Sequence, residues 1–120
     1  MNKPLTIALT ILAITTLAPV TIHADDYNTR QAHSYIRDAE YQMRQAENYR
    51  RSADSYRRSA ESNRRQMDSY IRRNDTRNAD TYRRRMQRDL DNAANYDRKA
   101  AQADSRAADY LNDAARALRR

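Results

Sequence analysis

Several residue types that break or crosslink a chain are missing from most of this 120-residue protein. It contains no glycine, cysteine, tryptophan or phenylalanine, and its two prolines, Pro4 and Pro19, both lie near the N-terminus. The absence of cysteine excludes disulfides and a thiol nucleophile, and the absence of glycine excludes glycine-rich phosphate-binding and oxyanion loops. Because residues 25–120 contain neither helix breaker, we expect them to be helical.

The first 24 residues differ from the rest and have the layout of a secretory signal peptide. A positive start, residues 1–3, precedes an uncharged apolar run over residues 5–20, and Ala24 stands before two aspartates. We predict cleavage after Ala24, although Ile22 is bulkier than usual three residues before a cleavage site. A retained anchor is the alternative, but a membrane span needs about 20 apolar residues. The sequence therefore predicts a periplasmic or secreted protein with no membrane span in residues 25–120.

Tyrosine and alanine recur every seven residues, which predicts the seam of a coiled coil. In the first segment, heptad position d holds Tyr35, Gln42, Tyr49, Tyr56, Asn63 and Tyr70, and position a holds Ala32, Ala39, Ala46, Ala53, Ala60 and Met67. In the second segment, Tyr82, Tyr96, Tyr110, Ala103 and Ala117 take d, and Met86, Ala93, Ala100, Ala107 and Ala114 take a. We interpret these residues as helix-packing positions, with a tyrosine-built binding platform as the alternative.

The step from Tyr70 to Tyr82 is twelve residues, which interrupts the heptad. The intervening sequence is rich in Asn, Asp and Thr, which favour turns and helix N-caps. We therefore predict helices over residues 27–73 and 80–118, joined by a turn over 74–79 with Asp80 or Thr81 as the cap.

Charges at heptad position e indicate that the second helix folds back on the first. Arg57 with Asp97, and Arg50 with Asp104, are opposite charges centred on the same residue, 77. We therefore predict an all-α fold, a long antiparallel helical hairpin with an alanine-rich coiled-coil seam. The alternative is one continuous helix that dimerises along its length.

The predicted seam buries little apolar area, because alanine side chains are small. Some larger apolar side chains are expected to widen it: Ile36, Met43, Ile71, Met86, Leu90, Leu111 and Leu118. Two such helices alone have a thin core, so we expect self-association or packing against a partner helix.

The remaining residue types do not suggest catalysis. His33 is the one histidine after residue 24, and no histidine lies near the serines of the first repeat segment, Ser52, Ser55, Ser59, Ser62 and Ser69. Acids at heptad position b stand four residues before arginines at position f, as Glu47 does before Arg51, which indicates solvated ion pairs. The other arginine of each doublet, at position e (Arg50, Arg57 and Arg64), is expected to lack such a local partner. We predict no enzymatic activity, no metal site and no cofactor.

Arginine supplies 21 of the 22 basic residues after residue 24, against 16 acids. Nine arginines and four aspartates lie in residues 64–89, a surplus of five positive charges around the predicted turn. The candidate anion-binding residues are Arg72, Arg73, Arg83, Arg84 and Arg85. A purely solubilising end is the alternative.

Together these features predict an exported, non-enzymatic structural and interaction protein whose arginines contact an anionic envelope polymer or nucleic acid. A small basic exported chaperone and an extracellular nucleic-acid binder are the alternative functions. No groove-reading or RNA-binding motif occurs in the sequence.

Overall fold

A computed structural model describes residues 26–120, which form two α-helices joined by a short turn. Helix α1 is Asp26–Arg72 and helix α2 is Thr76–Leu118. The two helices form an antiparallel hairpin, as predicted, and the described residues contain no strand. The turn excludes the alternative of one continuous helix. The predicted signal peptide, residues 1–24, lies outside the described residues.

The predicted seam is the core of the hairpin. The alanines at position a and the two at position d are at most 3 % exposed, among them Ala32, Ala39, Ala46, Ala53, Ala60, Ala93, Ala100, Ala103, Ala107, Ala114 and Ala117. The tyrosines at position d are half-buried. Small side chains at a let two helices approach closely, and the aromatic rings at d fill the space beside them while their hydroxyl ends reach water. The tyrosine and alanine heptad therefore builds the core.

The seam begins earlier in α2 than predicted. Ala79, placed in the turn by the sequence interpretation, is 2 % exposed and lies in α2. It stands seven residues before Met86, so it continues the same heptad position. Two residues expected to widen the seam, Ile71 and Leu90, are instead 47 % and 42 % exposed. Each stands one residue after position d, so its side chain lies outside the seam on the exposed side of its helix.

The chain divides into two compact units, each built from a segment of both helices. One unit combines Ala103–Arg120 with the described residues up to Arg44, and the other is Gln45–Gln102, which includes the turn. In the first unit, Ile36 packs with Ala32, Ala114 and Ala117, and Leu111 packs with Ala39 and Ala107. Partly buried Tyr35, Met43, Tyr110 and Leu118 complete these two clusters.

Polar contacts between the helices in Gln45–Gln102 define their register. Arg57 forms an ion pair with Asp97, which confirms one of the two predicted charge pairs across the hairpin. The other, Arg50 with Asp104, stays a prediction. Asp89 accepts hydrogen bonds from the Asn63 amide at 2.8 Å and from the Ser59 hydroxyl at 2.7 Å. Asn63 and Asp89 both occupy position d, so a polar layer replaces tyrosine there and favours one pairing of the helices.

Tyrosine rings from the two helices also meet in this unit. The rings of Tyr56 and Tyr96 stack with centroids 5.7 Å apart, and Tyr49 lies 6.1 Å from Tyr96. The ammonium group of Lys99 lies 5.0 Å from the Tyr96 centroid and 5.9 Å from that of Tyr49. The rings thus contribute interhelical contact where the alanines contribute little area.

Candidate anion-binding site

The turn between the helices contains a left-handed residue. Asn74 has φ of 59°, a conformation that asparagine tolerates better than most residues other than glycine. The Tyr70 carbonyl accepts a hydrogen bond from the Asp75 N–H at 2.9 Å, and the Ile71 carbonyl accepts one from the Asn74 N–H at 3.0 Å. This is the double hydrogen bond of a Schellman cap, which closes the C-terminus of α1. Asparagine therefore makes a tight reversal without glycine.

Asp75 is the N-cap of α2. It lies five residues before Asp80, the first of the two predicted caps, Asp80 and Thr81. Its carboxylate accepts hydrogen bonds from the Asn78 backbone N–H at 3.2 Å and from the Asn78 side chain at 2.7 Å. A side-chain oxygen bonded to the third helical N–H is the usual N-cap arrangement. Asp80 and Thr81 lie within α2, so the predicted turn over 74–79 was too long.

The capping contacts also change the acidity of Asp75. The hydrogen bond from the Asn78 side chain, and then that from its backbone, lower the pKa of the Asp75 carboxyl below its ordinary value of 3.8. Desolvation raises the pKa by less than either hydrogen bond lowers it, and the positive charges of Arg73 and Arg77 lower the pKa by still smaller amounts. The ionised carboxylate is thus the form that the turn stabilises.

The short turn carries the five candidate arginines on the ends of two adjoining helices. Arg72 ends α1, Arg73 lies in the turn, and Arg83, Arg84 and Arg85 lie two turns into α2. All five side chains are exposed. The surplus of five charges in residues 64–89 is therefore carried by accessible guanidinium groups at the turn.

Two of these arginines lie on a stacked pair of tyrosine rings. The Tyr70 and Tyr82 rings are 5.5 Å apart between centroids and are inclined by 18°. The guanidinium carbon of Arg73 lies 5.6 Å from the Tyr70 centroid, and that of Arg85 lies 5.0 Å from the Tyr82 centroid. One arginine from the turn and one from α2 therefore lie on the same pair of stacked rings.

The other three arginines differ in their partners. Arg83 forms an ion pair with Asp80, so part of its charge is compensated, although both side chains are at least half-exposed. Within residues 26–120, Arg72 and Arg84 make no ion pair closer than 4.0 Å. Exposed ion pairs contribute little to stability, about 0–1 kcal/mol. Arg83 can accordingly exchange Asp80 for another anion.

Away from the turn, the arginine doublets pair differently from the sequence prediction. Arg51 at position f does bind Glu47, with nitrogen and oxygen 2.6 Å apart. However, Arg57 pairs with Asp54 and Arg64 with Glu61, both three residues apart, so these position-e arginines do have local acidic partners. Residues three and four apart both lie on the same helix face, which is why either arginine of a doublet can reach the acid. Local ion pairs therefore occur at both positions of the doublets.

Other kinds of site find no support in the described part of the chain. No group of three His, Cys, Asp or Glu side chains within residues 26–120 could hold a metal ion. None of the helices described there combines the length and hydrophobicity needed to cross a membrane. A shallow cleft of about 110 Å³ lies in the first unit, where its lining residues include Gln31, Tyr35 and Arg116.

Known proteins add no information about this site. Comparisons with protein-family models, with curated protein sequences and with solved structures find no match to this chain.

Proposed function

We propose that this protein is an exported, non-enzymatic structural and interaction protein that binds polyanions through the basic turn of its helical hairpin. The observation that carries this proposal is the surplus of five positive charges in residues 64–89, presented on exposed arginines. Arginine binds phosphate and carboxylate oxygens through two parallel N–H groups, so an arginine surface suits polymeric anions. The partner would be an anionic polymer of the cell envelope or a nucleic acid.

The distribution of charge supports a localised contact. The unit formed by residues 26–44 and 103–120 contains seven basic and six acidic side chains, a surplus of one positive charge. The remaining segments of the other unit, residues 45–63 and 90–102, hold six basic and five acidic side chains. Surface charges are screened over about 10 Å at 0.1 M salt, so a dense cluster binds an anion better than the same charge dispersed. The turn is the place in the described chain where such a cluster occurs.

Export and self-association belong to the same proposal. The support for export is the sequence of residues 1–24, and the support for a partner helix or a second copy is the small apolar area of an alanine seam. The absence of cysteine, and of any histidine near the serines of residues 52–69, supports a non-enzymatic role.

The proposal is tested by removing three charges from the turn. In the triple variant Arg83→Gln, Arg84→Gln and Arg85→Gln, helix propensity is kept and three cations are lost. Affinity for a phosphate-rich polymer should fall. The slope of log affinity against log salt should become shallower by about two to three units if each arginine contacts one phosphate.

A matched control removes the same charge from position f, outside residues 64–89, with Arg44→Gln, Arg51→Gln and Arg58→Gln. Binding should be largely retained, because this control leaves the ring-held Arg73 and Arg85 in place. Equal loss in both triple variants would mean that net charge alone drives binding. Binding that is insensitive to salt would instead favour the chaperone alternative, which uses apolar contacts.

A further inference from the structure

The arginines on the Tyr70–Tyr82 ring pair are held in position before any ligand arrives. The rings occupy position d on the two helices directly flanking the turn, and both are half-buried. Arg73 and Arg85, by contrast, are exposed and lie over these rings at 5.6 and 5.0 Å. The two rings thus form part of the seam, and the two guanidinium groups lie at the surface.

The stack determines which faces of the rings are covered. An atomic contact requires about 3.5 Å. A guanidinium inserted between the rings would need two such contacts, which exceed the 5.5 Å between their centroids. The two guanidinium groups therefore lie outside the stack, that of Arg73 over the Tyr70 ring and that of Arg85 over the Tyr82 ring. A nucleic-acid base that stacked here, as bases do in single-strand binders, would have to compete with the neighbouring ring and with a guanidinium group.

A guanidinium lying on a ring keeps its planar N–H edge directed to the surroundings. That edge presents the paired donors that match two oxygens of a phosphate group. Because the ring already limits the side chain, less conformational freedom is lost when the anion binds. The arrangement favours a ligand recognised by its oxyanions.

Building on the proposed polyanion function, we propose that Arg73 and Arg85, positioned by Tyr70 and Tyr82, form a two-armed phosphate-binding site. This site reads the phosphate backbone of a polymer and makes no stacking contact with bases. Tyr70 and Tyr82 are positioning residues in it, and the two arginines contact the ligand. A base-free phosphate polymer is therefore as good a ligand as a nucleic acid.

Three probes test the ligand class: linear inorganic polyphosphate, single-stranded oligothymidylate, and an abasic oligonucleotide of the same length. Fluorescence anisotropy should show tight binding of polyphosphate, and the two oligonucleotides should bind equally within about two-fold. Oligothymidylate that binds at least ten-fold more tightly than its abasic counterpart would overturn the proposal, because it would show base stacking.

Two double variants test the positioning role without changing net charge. Tyr70→Leu with Tyr82→Leu keeps an apolar side chain at position d but removes both rings, and polyphosphate affinity should fall about ten-fold from the lost ordering of two side chains. Tyr70→Phe with Tyr82→Phe keeps both ring faces and should restore wild-type affinity. The control Tyr27→Leu with Tyr41→Leu changes two tyrosines that are 65 % and 53 % exposed, and should not affect binding.

Arg73→Lys with Arg85→Lys provides an independent test, because it keeps both charges and removes the planar donor pairs. Affinity for polyphosphate should fall at least three-fold, with helicity by circular dichroism unchanged. Unchanged affinity in both the leucine and the lysine variants would overturn the ring-held site while leaving the proposed polyanion function intact. A wild-type protein that binds none of the three probes would overturn both proposals.

Discussion

Replacing two seam alanines with glutamine should strongly destabilise the hairpin. Ala53 and Ala60 are 0 % and 3 % exposed, so Ala53→Gln with Ala60→Gln places two longer polar side chains in a close helix contact. Overpacking costs about 1–3 kcal/mol at each site, or about 2–6 kcal/mol for the pair. An amide that is buried without a hydrogen-bond partner adds about 1–3 kcal/mol more. For a domain below about 100 residues, 1 kcal/mol lowers Tm by about 4–8 °C, so we expect a fall of at least about 10 °C.

The chain offers a control with the identical substitution. Ala94 and Ala101 are exposed on α2, and Ala94→Gln with Ala101→Gln carries the same loss of helix propensity without entering the seam. Thermal unfolding followed by circular dichroism, at one protein concentration, should show a change of only a few degrees in this control. The difference between the two double variants isolates the packing effect from propensity.

The result that would refute this reasoning is equal loss of Tm in the two double variants. It would mean that the alanines at position a do not form the tight contact, and that the heptad has been assigned to the wrong face. A second comparison, Ser55→Gln with Ser62→Gln, probes the exposed side of α1 itself and should change stability by about 0.5 kcal/mol or less.

Three further predictions concern the N-terminus, the register and the cap. Intact-mass measurement of protein isolated from its host should show a chain that begins at Asp25, and a full-length chain in the membrane fraction would contradict export. Asn63→Leu with Asp89→Leu should raise Tm, because an apolar layer replaces a polar one in the seam, and a fall would show that the hydrogen bonds dominate. The cap contact of Asp75 should stabilise the fold fully above pH 3.8, its ordinary pKa, and lose that effect as pH falls through the lowered folded-state pKa. The Tm difference between wild type and Asp75→Ala should therefore shrink below pH 3.8, and a constant difference would contradict this account.

The seam could be predicted from the sequence because its signal is repeated and local. Alanine and tyrosine return every seven residues on each helix, and one charge pair, Arg57 with Asp97, indicated how the helices align. Ile71 and Leu90 were assigned wrongly since hydrophobicity alone does not distinguish the seam from its exposed edge. Burial at that edge depends on the facing helix.

The position of the turn was predicted correctly, but the predicted turn was too long, and two residues explain why. Asparagine and aspartate favour turns in general, yet here Asn74 alone takes the left-handed conformation and Asp75 already caps α2. The missed signal was Ala79, seven residues before Met86, which continues the heptad and requires helix at that point. Periodicity was therefore a better guide to the start of α2 than composition.

The charge surplus around the turn could likewise be counted from the sequence, but its organisation could not. Whether Tyr70 meets Tyr82 depends on the register between two helices, and the stacking of arginines on those rings depends on side-chain geometry. The same register places Asn63 opposite Asp89. Both residues stand at position d, where tyrosine is usual. Extending position d through residue 89 would have predicted this polar pair.

The fold and the proposed function share residues at one place, the ring pair beside the turn. Ala53 and Ala60 are buried, so substituting them should change the stability of the hairpin alone. Arg84 is exposed, so substituting it should change the surface charge alone. Tyr70 and Tyr82 do both: their stacked rings pack in the seam, and the same rings hold Arg73 and Arg85 at the surface. Loosening the turn should therefore weaken the proposed phosphate binding before the rest of the hairpin unfolds, because Arg73 lies in the turn and Arg85 lies beyond it in α2.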